Sequence, residues 1–192
     1  MYYLKNSAIA IIYSLFSAMI AIGIDLWESA PKWLLTVLAI VNLALYAYIV
    51  FSIASRSGGD AVKIRKGNDI NRIKVIETGD DLPINRQAEY AHYKGFIIGV
   101  FACLPLLILM GAHLIAMLVG TMDFFGLLAV LLVKSVTVFF TIGGMSLAGY
   151  TCFYSLIFLP FTALVIGLGY IFGAIKQQRV YDSIKNLNAD GE

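Results

Sequence analysis

The stretch Ser55–Lys94 reads SRSGGDAVKIRKGNDINRIKVIETGDDLPINRQAEYAHYK. It separates two strongly apolar halves and carries eight of the chain's 14 lysines and arginines. In its first part, Val62-Lys63-Ile64-Arg65 and Ile73-Lys74-Val75 alternate apolar and basic residues on either side of Lys66-Gly67-Asn68-Asp69. Period-two alternation across a Gly-Asn turn predicts a small β-hairpin over 61–76. Such a hairpin is marginal alone and needs a surface to lie on. An amphipathic surface helix is the alternative, weakened by Gly67, Asn68 and Asp69 in a row. The second part opens on Asp80-Asp81-Leu82-Pro83. Acidic residues followed by proline in a first turn predict a juxtamembrane helix from 83 that runs on into the apolar sequence beyond Lys94. On that helix Glu89 and Tyr93 share a face, as do Tyr90 and Lys94.

Outward from this stretch, composition sets the class. Sixty per cent of the 192 residues are hydrophobic, 14% are charged, and the mean hydropathy is +0.83. A soluble domain carries about 25% charged residues. Apolar runs of about 18 or more residues are candidate transmembrane helices, because a hydrocarbon core of about 30 Å needs about 20 helical residues. The chain therefore reads as an all-α polytopic membrane protein.

Residues 1–54 hold the first two spans. Ala8–Ile24 is longer than a signal-peptide core and has no small-x-small site before a plausible cut, so a retained span is expected. Trp27 and Trp33 flank the turn Asp25–Lys32 as interface anchors. The second span follows, with Asn42 near its middle. The third span is 95–119, where Pro105 predicts a kink. Residues 124–149 are broken by Lys134-Ser135 and by glycines. The last span is 152–175, and 176–192 is a polar tail.

Lysines and arginines near span ends stay cytoplasmic. Lys5, the loop 55–94 and the three tail bases Lys176, Arg179 and Lys185 all ask for the same side, so the crossings must be even in number. Three lie before Gly120. The expected solution is four spans plus a re-entrant helical hairpin formed by 124–133 and 136–142, since short apolar runs are more often re-entrant than spanning. Such a hairpin must be buried in protein or line water. Five spans, with the tail outside, is the alternative. The expected location is an integral one, on the pattern of a bacterial cytoplasmic membrane, with the N-terminus and the loop cytoplasmic.

A few residues stand out as places for chemistry. A lysine such as Lys134 among valines and leucines costs roughly 2.5–3.5 kcal/mol in lipid. It is expected to face a protein interior, with Asp25, Glu28 and Asp123 as candidate partners, or to snorkel at a helix end. His113, Asn42 and Ser135 are the other ligand or pathway candidates. Asn42 as a hydrogen bond between helices, and His113 likewise, are the plainer readings. Gly167, Gly169 and Gly173 predict close helix packing. Arg65, Arg72, Glu89, Tyr90 and Lys94 are the candidate docking residues of the loop. Cys103 and Cys152 sit in apolar runs as packed thiols. No metal-ligand spacing, catalytic motif or cofactor fingerprint is present, so neither metal nor cofactor is expected.

Eight bases against six acids give the central stretch too small an excess for a polybasic lipid sensor. The expectation is an accessory or interaction subunit of a larger membrane assembly, docking through its cytoplasmic loop. Its partners would be the bilayer and another protein or a second copy, with no nucleic acid. A small channel, carrier or carrier component with Lys134 lining the path is the alternative, and a lipid-modifying enzyme using His113 or Lys134 is a third.

Overall fold

A computed structural model describes residues 2–27, 29–79, 82–86, 88–120 and 124–189. The described chain is helical, with no strand among these residues. Its elements are α1 (Tyr2–Asp25), α2 (Lys32–Thr78), α3 (Lys94–Ala102), α4 (Leu104–Val119), α5 (Phe124–Leu132), α6 (Lys134–Ile142), a 3₁₀ segment (Gly149–Ile157) and α7 (Phe158–Ala189). Three helices are long and apolar enough to cross a membrane, and five spans result if each bent pair counts as one.

The predicted β-hairpin over 61–76 is not formed. Those residues belong to α2, one helix of 47 residues, about 70 Å long at 1.5 Å per residue. Tertiary packing overrides the local signal. Gly58 meets the backbone of Tyr170 on α7, and Gly173 of α7 meets the backbone of Ser55. Ala54, Gly58, Ala61 and Asn68 are buried at helical spacing. Along the helix, Lys63 pairs with Asp60 at 3.1 Å and Arg72 with Asp69 at 2.6 Å, both three residues apart. The helix ends at Gly79, whose φ of 75° is left-handed and whose N–H donates back to the Val75 carbonyl.

The predicted helix from 83 is also absent. The described residues of 82–93 are turns, a bend and irregular backbone, and α3 starts at Lys94. The reason is a set of contacts from α2. Asn68 Nδ2 donates to the Asn85 carbonyl at 3.1 Å while the Asn85 N–H donates to Asn68 Oδ1 at 3.2 Å. Asn71 Nδ2 donates to the Pro83 carbonyl at 3.2 Å, and the Tyr90 N–H to the Ala61 carbonyl at 3.2 Å. The return segment is thus laced along α2. Asp80, Asp81 and Gln87 lie outside the described residues.

Contacts fix the directions of the helices. Ser7 Oγ donates to the Ile98 carbonyl at 2.9 Å, so α1 and α3 start together. Gly58, Tyr170, Gly95 and Gly167 meet at that same end, where α2 and α7 run parallel. Lys5, Arg56, Lys94 and Lys176 therefore mark one level, and Asp25 and Lys32 mark the other, about 30 Å away along α1. Among the described residues in the stretches between those levels, Lys134 is the single charged one.

Two helices are broken. α3 and α4 meet at Cys103 with a bend of 49°, and α5 and α6 meet at Val133 with a bend of 102°. From helix lengths and these angles, α3 with α4 reaches about 34 Å end to end, and α5 with α6 only about 17 Å.

Candidate functional site

A polar cluster between the two levels is built on the α5–α6 break. Val133 leaves the helical region (φ −113°, ψ 29°). In an unbroken helix the N–H of Lys134 would serve the Val130 carbonyl. Here the Thr137 hydroxyl donates to that carbonyl at 3.1 Å, and Thr137 is wholly buried. The break thus carries its own internal satisfaction of the freed backbone group.

Lys134 opens α6 and is 7% exposed in its side chain. Its Nζ reaches Asp25 Oδ2 at 2.7 Å and Thr141 Oγ1 at 3.5 Å. The Thr141 hydroxyl in turn donates to Asp25 Oδ1 at 2.7 Å. Asp25 closes α1, so this triad ties the end of α1 to both ends of α6. Of the three acids considered from sequence, Asp25 is the partner; Glu28 and Asp123 lie outside the described residues. Thr141 was not singled out from sequence. Its signal is the spacing of seven residues, two helical turns on the face of Lys134. Ser135 is fully buried, and its hydroxyl has no hydrogen-bond partner among the described residues.

The other candidates lie elsewhere. Asn42 sits on α2 against α1: its Nδ2 donates to the Ser17 carbonyl at 3.0 Å, and Ser17 Oγ donates to Asn42 Oδ1 at 3.2 Å. His113, on α4, is buried with its ring 5.2 Å from that of Phe153. Neither joins Lys134. Among the described residues, no group of three or more His, Cys, Asp or Glu side chains comes together that could hold a metal ion. An apolar crevice lined by Ala10, Val50, Ile98 and Ile166, with Asn6 and Ser57, lies nearer the opposite end and does not include Lys134.

The three glycines of α7 are engaged within the chain. A Cβ on Gly169 would sit 2.7 Å from the Phe51 carbonyl oxygen, and one on Gly173 would collide with Ser55, both on α2. Gly167 faces Phe96 of α3, and Gly95 of α3 lies against Tyr170. One helix thus presents glycines to two neighbours.

The loop candidates are turned mostly inward. Arg72 bridges Asp69 and Glu89, each at 2.6 Å, and Glu89 also accepts from Asn68 at 2.7 Å. Lys94 is buried, and its Nζ donates to the carbonyls of Glu89 and Arg86 at 2.6 and 3.2 Å. Tyr90 stacks on Tyr170 at 5.5 Å between centroids, and its hydroxyl is 2.8 Å from His92 Nδ1. Burial pushes the Tyr90 phenol above its ordinary value, against the opposing charge of Arg65. Arg65 itself is exposed on α2. These side chains hold the return segment on α2 rather than forming an open docking face.

Comparison with protein-family models, with curated proteins and with solved structures finds no match to this chain.

Proposed function

We propose that this protein is an interaction subunit of a membrane assembly, docking a partner protein through a rigid helical stalk. The observation that carries the reading is the far end of α2. Beyond the level of Arg56, α2 continues for about 33 Å. Ile70, Ile73 and Ile76 are exposed there by 55%, 56% and 84%. They stand about 20–30 Å from the apolar layer, too far to be lipid contacts. Exposed apolar side chains grouped on one element mark an interaction surface. The parallel packing of α2 on α7, and the return segment laced along α2, support a stalk coupled rigidly to the membrane helices. Ile70→Ser/Ile73→Ser/Ile76→Ser should abolish co-purification of a stoichiometric partner from mild detergent while the chain stays folded. A wild-type chain that elutes alone would remove this reading.

The membrane arrangement that goes with it has four crossings and a re-entrant hairpin, with N-terminus, stalk and tail on the cytoplasmic side. Three features favour it. A reach of about 17 Å is short for a core of about 30 Å. Val133, at the vertex, is grouped with Ile11, Ser14, Leu106 and Phe158, partway along α1 and α4. α6 returns to Asp25 at the far end of α1. Even parity then leaves Lys5, the stalk bases and the tail bases on one side.

A carrier or channel centred on Lys134 is the second reading, favoured by the buried, unpartnered Ser135 hydroxyl beside the vertex. Lys134→Met should then abolish ligand flux in proteoliposomes. Unchanged flux would exclude it.

A further inference from the structure

At the Lys5 end, α2 and α7 approach so closely that backbone meets backbone at Ser55 and Gly173. The groove beside this contact is lined by Arg56 and Lys63 from α2 and by Lys176 from α7, with Gly59 and Gly173 at the close contact between the two helices. Asp60 is its one acid, and Lys63 engages it at 3.1 Å. Lys176 also belongs to the adjoining face of α7, where Arg179 and Val180 follow Phe172 and Ile175. Among the described residues, the side chains of Arg56, Lys176 and Arg179 make no hydrogen bond or ion pair. Arg56 and Lys176, more than 100 residues apart in the chain, are thus held in one groove, and Arg179 stands on the adjoining face of α7. Phe172 and Ile175 are 55% and 46% exposed in the last apolar turns of α7, immediately beside them.

We propose that this groove binds the headgroup of an anionic phospholipid, with the acyl chains lying along Phe172 and Ile175. The phosphodiester accepts from Arg56 and Lys176, and Arg179 reaches it from the next turn. Basic pockets between helices at the membrane edge are suited to such headgroups, because the field of the cations is least screened beside the apolar layer. The apolar ledge selects a lipid over a soluble phosphate. The rigid backbone contact between α2 and α7 keeps like charges together that would separate on free helices. The proposal rests on the membrane placement above, but not on the docking of a partner.

The test uses the full chain in mild detergent, titrated with phosphatidylglycerol and with phosphatidylcholine of identical acyl chains, with bound lipid counted by native mass spectrometry. Retention of phosphatidylglycerol at least about tenfold over phosphatidylcholine is expected, and Arg56→Gln and Lys176→Gln should each lower that preference about fivefold, following the strength of a base near an anionic surface. Both positions are exposed, so both variants should fold. Lys74→Gln, on the distal stalk, should leave the preference unchanged. Equal retention of the two lipids overturns the proposal. So does a preference indifferent to Arg56→Gln and Lys176→Gln, or one that falls equally with Lys74→Gln, which would indicate a diffuse charge effect. Partner co-purification is read separately, so either reading can fail alone.

Discussion

The two broken helices of this protein fail in different ways. α3 and α4 are parted by the missing N–H and the ring of Pro105, bend by 49° and keep going. α5 and α6 contain no proline, yet bend by 102°. The first break is local chemistry within a helix pair that still reaches about 34 Å. The second is held by distant partners: Asp25 draws Lys134 toward the end of α1, and Thr137 caps the carbonyl that the break exposes. A proline kink redirects a helix modestly, whereas a buried ion pair and a side-chain cap together hold one turned through about a right angle.

That contrast can be broken most strongly at Asp25. Asp25→Ala leaves the Lys134 ammonium uncompensated in a mostly buried site, and loss of one partner of a buried pair costs about 3–5 kcal/mol. Equilibrium unfolding in mixed micelles should show a loss near the lower figure, because Asp25 is 31% exposed. Adding Lys134→Met should recover most of it, and a double variant no better than the single one would contradict the pairing. Thr137→Val keeps shape and removes the cap, for an expected loss of about 1–3 kcal/mol from one unsatisfied buried carbonyl. Pro105→Ala should change stability by less than about 1 kcal/mol, since neighbouring groups already satisfy the backbone around such breaks in membrane helices. A loss as large as that at Asp25 would erase the distinction between the two breaks. The smallest effect is expected in unbroken α2. Gly67 is exposed with open space around its Cβ position, so Gly67→Ala should stabilise the stalk by about 0.5–1 kcal/mol. Hydrogen exchange along α2 would register it.

Much of the membrane part was legible because the bilayer imposes a length that sequence displays directly. The apolar runs follow from counting residues against about 30 Å, the bend at Pro105 from its missing N–H and its ring, and the interior place of Lys134 from the cost of a charge in lipid. Asp25 was one of three acids within reach of that argument. The central stretch was misread because its alternation in Val62–Arg65 is too short to separate a strand from a helical face. The deciding contacts, Gly58 with Tyr170 and Gly173 with Ser55, lie over 100 residues apart. Asp80–Pro83 carries a helix-start signal, but Asn68 and Asn71 bind the backbone that a helix would need. The basic groove was not legible for a related reason: it draws Arg56 and Lys63 from the segment 55–94 and Lys176 from the tail.

The central claim, that α5 and α6 form a hairpin and the chain crosses an even number of times, is tested most directly by labelling single cysteines in intact cells with a membrane-impermeant maleimide. The native thiols Cys103 and Cys152 are buried, so introduced sites at Trp27, Thr78 and Ser183 can be read against a low background. The account predicts labelling of the Trp27 site from outside, with the Thr78 and Ser183 sites reacting only after permeabilisation. Labelling of the Ser183 site in intact cells while the Thr78 site stays protected would contradict it and make α5 and α6 a fifth crossing.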